Sequence, residues 1–270
     1  MNKVGIFLKQ GHYSKKFFSQ CITIFELLKE SSLTFFPNET IPSELASYHS
    51  EKNFYDQDFY LSLGGDGTFL KSLYYTQDKP IFSVHLGDFG FLPEFSYEES
   101  LKNLLFLENL TKKHIKGYHL SFLDKEELFF NDAVIYPKKK QLISLNLSIQ
   151  NETFTFQGDG IILSTPLGST GYSLSAGGPI LDDSSKNLIL TPICQRSLNS
   201  RSLVFNHHHS FTLYSEDKIC ISFDGRRIFS LPSKTPISYV IKTKENILFK
   251  NADKNFFHYL KKKFLYGSTH

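Results

Sequence analysis

The hydrophobic pattern changes period near residue 115, and that change limits the folds open to the chain. Upstream, short continuous apolar runs at 4–8, 59–63 and 80–85 alternate with segments of three-and-four spacing. Such runs suit strands buried on both faces of a parallel sheet. Segment 14–30, with Phe17, Cys21, Ile24, Phe25 and Leu28 on one side, suits an amphipathic helix, and 68–75 and 98–107 read the same way. Downstream, Leu145, Leu147 and Ile149, then Phe154 and Phe156 after an Asn151-Glu152 turn, then Ile219, Ile221 and Phe223 alternate with polar residues. Period two with turn signals predicts antiparallel strands packed on one face. The expectation is an α/β domain over 1–115 and a β-rich domain over 116–254, with a last helix in 255–270.

Composition narrows the class. A net charge of +3 with no long basic run excludes a nucleic-acid footprint and a basic membrane helix. No stretch approaches the ~20 apolar residues of a spanning helix, and the first apolar run is too short for a signal peptide. A cytosolic protein is expected. Cys21, Cys194 and Cys220 are far apart and in no metal spacing, so each is expected to be a buried, reduced thiol. His207-His208-His209 reads as a surface loop, because adjacent strand residues point to opposite faces. The 27 Phe and 14 Tyr, with no Trp, read as core filling.

Gly64-Gly65-Asp66-Gly67-Thr68 sits between a strand and a helix. Its glycines permit a tight turn and close backbone approach to a ligand, and the helix start offers unpaired N–H groups to phosphate. Asp66 would repel phosphate, so it suits accepting a proton from an attacking hydroxyl or orienting Mg²⁺. The bland alternative is a tight turn with Asp66 as helix cap. Lys71 could reach an anionic group. No Walker or Rossmann glycine motif is present.

A second segment runs from Gly158-Asp159-Gly160 through Ser164-Thr165-Pro166 to Thr170-Gly171-Tyr172-Ser173-Leu174-Ser175 and Gly177-Gly178-Pro179. Small polar side chains and exposed backbone suit a flat polar heterocycle, on which Tyr172 could stack. Asn131-Asp132 interrupts an apolar strand; Asn can meet an adenine edge and Asp a ribose hydroxyl. Asp224-Gly225-Arg226-Arg227 reads as a hairpin turn, with Arg226 near a phosphate as the other reading.

Taken together, these residues resemble the NAD kinase family. The resemblance rests on the Gly64–Thr68 loop, Asn131-Asp132, the 158–179 segment, Thr191-Pro192-Ile193-Cys194, Arg201 and Asp224-Gly225, and covers nearly the whole chain. It implies phosphoryl transfer from ATP or polyphosphate to the 2′-hydroxyl of the adenosine ribose of NAD, with a divalent cation (Mg²⁺ or Mn²⁺). It further implies a sandwich-like second domain, a final helix returning to the first, and a homodimer or homotetramer. By motif, Asp66 would be the proton acceptor, with Gly67 supporting it at the ligand, and Gly64, Gly65, Asp66, Gly67 and Thr68 would bind nucleotide. Asn131 and Asp132 would hold the adenosine half, and Asp159 with Thr170, Gly171, Tyr172, Ser173, Leu174 and Ser175 would line the dinucleotide site. Lys71 and Arg226 match further polar positions. Asp132 stands where the family commonly has Glu, and Cys194-Gln195-Arg196-Ser197 where Cys-Pro-His-Ser is common.

Two other classes compete. A lipid or sugar kinase would share the glycine loop but not the 164–178 segment. A silent dinucleotide-binding module would be expected to lose Asp66 or the loop glycines, and all are present.

Overall fold

The computed structural model describes residues 2–37, 39–76, 78–87, 90–139, 141–197, 200–252 and 254–264. The chain divides into two compact units, Met1–Ile115 with Glu245–His270, and Lys116–Lys244.

The first unit runs β1 (Lys3–Leu8), α1 (Lys15–Leu27), β2 (Ser32–Phe35), β3 (Phe59–Gly64), α2 (Asp66–Tyr75), β4 (Ile81–His85), β5 (Phe95–Ser96) and α3 (Tyr97–Asn103). Ser14 caps α1 by accepting the Phe17 N–H, and the inward face of α1 buries Phe17, Cys21, Ile24 and Phe25. A reciprocal Ser96–Glu99 box starts α3. Strands β4, β3, β1 and β2 lie side by side and parallel, with β5 parallel to β4. Every residue of β2 and β3 is buried; β3 reads as an apolar run for that reason, whereas β2, Ser-Leu-Thr-Phe, carries no such run. The order reverses between β1 and β3, and in open α/β sheets ligands bind beyond the carboxyl ends of strands at such a reversal. The Gly64–Thr68 turn lies at the carboxyl end of β3.

The second unit contains β6 (Thr111–Phe122, entering from the first), β7 (Lys125–Phe129), β8 (Asp132–Pro137), β9 (Ile143–Ile149), β10 (Glu152–Gly158) and β11 (Gly160–Ser164). A one-turn helix α4 (Tyr172–Ser175) follows, then β12 (Asn187–Ile193), β13 (Leu203–Asn206), β14 (Phe211–Ser215), β15 (Ile219–Phe223), β16 (Arg227–Leu231) and β17 (Ile237–Lys250). One antiparallel sheet has the order β13-β12-β11-β8-β15-β16; a second joins β10, β9, β14 and β17, with β6 between β17 and β7. Leu145, Leu147, Phe211 and Leu213 from one sheet pack against Ile135, Ile161, Leu163 and Ile221 from the other. This is the expected sandwich.

The end of the chain returns to the first unit. Leu248 of β17 pairs with Ile81, and α5 (Phe256–Phe264) follows. Tyr259 of α5 donates its hydroxyl to Glu94 Oε1 at 2.9 Å, and Lys254 meets Glu99 at 2.5 Å. Residues 265–270 of the expected last helix lie outside the described residues.

Several local expectations are corrected. Cys194 is exposed and Cys220 half-buried; of the three thiols only Cys21 is buried. His207 is buried against Tyr118, although the three histidines do form a turn. The β9–β10 turn is Gln150-Asn151, both left-handed, one residue earlier than expected. Segment 167–175 makes a 3-10 turn and then α4, both packed on β11. That cover explains why Ile161, Ile162 and Leu163 are all buried.

Candidate active site

The glycine turn begins with a steric requirement. A Cβ on Gly64 would fall 2.4 Å from Thr68 Oγ1 and 3.0 Å from Lys9 Cβ, so this glycine closes the turn against β1. Gly65 and Gly67 differ, since a Cβ on either would meet nothing within 4 Å. Their backbone therefore borders open space at the start of α2, where helix N–H groups favour an anion. Gly65 is the cap residue and Asp66 the first residue of the helix, one step beyond a capping position. Asp66 Oδ1 accepts the Leu92 N–H at 3.0 Å. Gly90 makes room for it, because a Cβ there would lie 2.5 Å from Asp66 Oδ1 and 3.1 Å from the His85 ring. Gly90 and Leu92 thus buttress Asp66.

Lys71, one turn along α2, extends to Glu39 Oε1 at 2.8 Å and lies 4.6 Å from the centre of the Phe36 ring. Glu39 also accepts the Leu8 N–H at 2.8 Å. Burial raises its carboxyl above the usual range, while Lys71 and the Leu8 N–H oppose that shift. The pair ties the end of β1 to α2.

The second unit holds a cavity of about 650 Å³. It gathers Asn131, Asp132, Asp159 and Tyr172, four of the sequence candidates, with Val134, Tyr136, Ile193, Ser222, Asp224 and Gly225. Thr170, Gly171, Ser173, Leu174, Ser175 and Arg226 are not among its described lining residues. Ser173 is buried and shares a hydrogen bond of 2.8 Å with Thr191, so its hydroxyl serves the packing of α4. Tyr172 beside it is about half exposed and lines the cavity.

Asn131-Asp132 sits where β7 ends and β8 begins, a junction and not the interrupted strand expected from sequence. Its backbone is gripped from two sides. Thr165 Oγ1 donates to the Phe130 carbonyl at 2.5 Å, and the Thr165 N–H to the Asn131 carbonyl at 2.9 Å. Gly168 lies against the same carbonyl so closely that a Cβ would approach its oxygen to 2.1 Å. On the other side, the Asp224 carboxylate accepts the N–H groups of Phe130, Asn131 and Asp132 at 2.9, 2.8 and 3.0 Å. Asp224 and Gly225 have φ of 49° and 65°, the left-handed pair of a tight hairpin. Thr165 and Asp224 stand within motif segments of the sequence, but their hold on this corner is not legible there, because their partners lie 35 and more than 90 residues away. Burial first, and the charge of Asp224 second, push the Asp132 carboxyl up to about 7. Asn131 Oδ1 is buried without a hydrogen-bond partner.

Phosphoryl transfer asks a protein for alignment and charge neutralisation more than for covalent chemistry, and a glycine-opened helix start beside a carboxylate has the parts that a phosphotransferase uses. Residues 10–110 match the ATP-NAD kinase N-terminal domain and residues 130–249 the ATP-NAD kinase C-terminal domain. An NAD kinase of Helicobacter pylori (strain P12) is 32% identical over 281 residues, 98% of this chain and 96% of the relative. One from Chloroherpeton thalassium is 35% identical over 237 residues, covering 80% and 81%. The chain belongs to the NAD kinase family. Among solved structures, yeast NADH kinase complexed with NADH gives a TM-score of 0.83 at 22% identity, covering 100% of this chain and 89% of that one. An Archaeoglobus fulgidus NAD kinase in complex with ATP gives 0.74 at 22% identity, covering 96% and 98%. At that identity these two support the fold alone. Among the described residues, no helix is long and apolar enough to cross a membrane.

Proposed function

We propose that the chain transfers the terminal phosphoryl group of ATP to the 2′-hydroxyl of the adenosine ribose of NAD, giving NADP. The observation that carries this reading is the Asn131–Asp132 corner, held rigidly beside Tyr172 in a cavity of nucleotide-fragment size. Three aspartates in the wall disfavour phosphate, and they suit the donors of adenosine, its amino group and ribose hydroxyls. The unpartnered Asn131 Oδ1 would accept from the adenine amino group, Asp132 would meet the ribose, and Tyr172 would stack on the base. Asp159 lines the same cavity and completes the acceptor's surroundings; by the family motif, residues 170–175 and Arg226 would approach the ligand from beyond the described lining.

In this reading the open backbone at Gly65 and Gly67 and the first turn of α2 receive the donor phosphates. Lys71 acts through its Glu39 pair to fix α2. The ribose 2′-oxygen attacks the γ-phosphorus and its proton passes to Asp66. The bond between the γ-phosphorus and the bridging oxygen breaks, and ADP leaves with that electron pair. Among the described residues no three His, Cys, Asp or Glu side chains form a metal cage. A divalent cation fits as a partner of the donor's phosphate oxygens, with Asp66 the side chain able to share it, and it would supply charge neutralisation there. A cytoplasmic location and a homodimer or homotetramer belong to the same reading.

The test is an assay of the purified chain with Mg²⁺, pairing ATP or polyphosphate with NAD or NADH. NADP from ATP and NAD is expected. No phosphorylated dinucleotide from any pair would overturn the reading, and turnover of NADH alone would reassign the acceptor.

A further inference from the structure

Asp224 enters the sequence as a hairpin residue, yet its carboxylate faces into the unit and collects three consecutive backbone N–H groups. Those groups lie where one strand has ended and the next is starting, so the sheet does not supply acceptors for all of them. Buried amides without acceptors are strongly disfavoured. One carboxylate with two oxygens satisfies all three; an Asn in its place would offer one oxygen and turn an NH₂ group toward N–H donors. The contact is also reciprocal, since the Asp224 N–H donates to the Asp132 carbonyl at 2.9 Å.

We propose that Asp224 is a positioning residue: through the backbone of residues 130–132 it sets the place of the Asp132 carboxyl that meets the dinucleotide, and its own carboxylate stands beside that group as a like charge. The proposal rests on the reading that this cavity takes NAD. Asp132 is largely buried, and the titratable groups lining the cavity with it are Asp224 on the β15–β16 turn, Asp159 between β10 and β11, Tyr136 on β8 and Tyr172 on α4. The residue opposite it on β11 is Ser164, which does not titrate in the working range. Ionisation of Asp132 therefore adds a negative charge to a wall already carrying two other aspartates, close to a ligand that bears a diphosphate. NAD affinity is coupled to that ionisation and falls as pH rises through about 7.

The experiment measures the dissociation constant of NAD, and its KM and kcat, between pH 5.5 and 8.5 in the wild type, Asp224→Asn and Asp132→Asn. The wild-type affinity should weaken several-fold across neutrality. In Asp224→Asn the weakening should move to lower pH, because the neighbouring charge that opposes Asp132 ionisation is gone. A general loss of about five- to tenfold in NAD affinity, carried more by KM than by kcat, should accompany it. In Asp132→Asn the pH dependence should disappear. An Asp224→Asn midpoint equal to wild type would overturn the proposal. So would superimposable wild-type and Asp132→Asn profiles, a comparison that stands even where Asp224→Asn folds poorly. Failure of the wild type to bind or phosphorylate NAD at any pH would instead overturn the functional reading.

Discussion

The Asp224 carboxylate accepts the Asp132 N–H at 3.0 Å, and the Asp224 N–H returns to the Asp132 carbonyl at 2.9 Å. The two aspartates thus brace one another through their backbones while their charges oppose. That combination gives a rigid corner whose acid is hard to ionise, and stability should follow its protonation. The Asp132 carboxyl rises from an ordinary value near 3.8 to about 7 on folding, so the native state holds its proton more tightly than the unfolded chain does. Its contribution to stability is full below pH 4 and is lost as pH rises through about 7. Asp132→Asn should therefore gain stability over wild type at pH 8, by on the order of a few kcal/mol at most, and much less at pH 5. Urea unfolding at the two pH values checks the sign; an equal difference at both would contradict it.

Thr165 holds the other side of the same corner. Thr165→Val keeps the shape but leaves the Phe130 carbonyl and the Gly168 N–H without the hydroxyl that serves both. A loss of about 1–3 kcal/mol in stability is expected, together with weaker NAD binding. Thermal melting and calorimetric titration with NAD would show both; unchanged values would mean that the hydroxyl contributes nothing.

The loop glycines should separate by role. Gly90→Ala places a Cβ against the Asp66 carboxylate and should lower kcat at least tenfold without unfolding the protein. Gly67→Ala, inside a helix and in open space, should raise stability by about 0.5–1 kcal/mol while impairing turnover by narrowing the approach of phosphate. Melting temperature and steady-state rates measured on both variants decide this. A fully active Gly67→Ala would remove that backbone from the phosphate site.

Tyr172→Ala should weaken NAD binding by about 1–3 kcal/mol, the usual worth of a base–aromatic stack, and leave the KM for ATP near the wild-type value. Equilibrium binding of NAD checks it, and an unchanged dissociation constant would rule out stacking.

The sequence disclosed those parts of the fold and site whose cause is local. Strand β3, the glycine turn and α2 are legible because apolar run, glycines and helical spacing follow one another within 20 residues. Period-two alternation announced β9, β10 and β15 for the same reason. Tertiary cover decided the rest. Residues 167–175 have the composition of coil and become helical by packing on β11. Cys194 has apolar sequence neighbours on one side but follows the end of β12 at a left-handed φ of 46° and is exposed. Asp224 reads as a turn residue, and only the fold brings its carboxylate to a backbone more than 90 residues earlier.

In the proposed reaction Asp66 receives the proton of the attacking ribose hydroxyl. Asp66→Asn, measured for NADP formation from ATP and NAD and for NAD binding on the same preparation, tests it most directly. A fall in kcat of about 10²–10⁴-fold is expected, the usual contribution of a positioned general base, with the dissociation constant for NAD within a few-fold of wild type. An Asp66→Asn enzyme that makes NADP at the wild-type rate would contradict it.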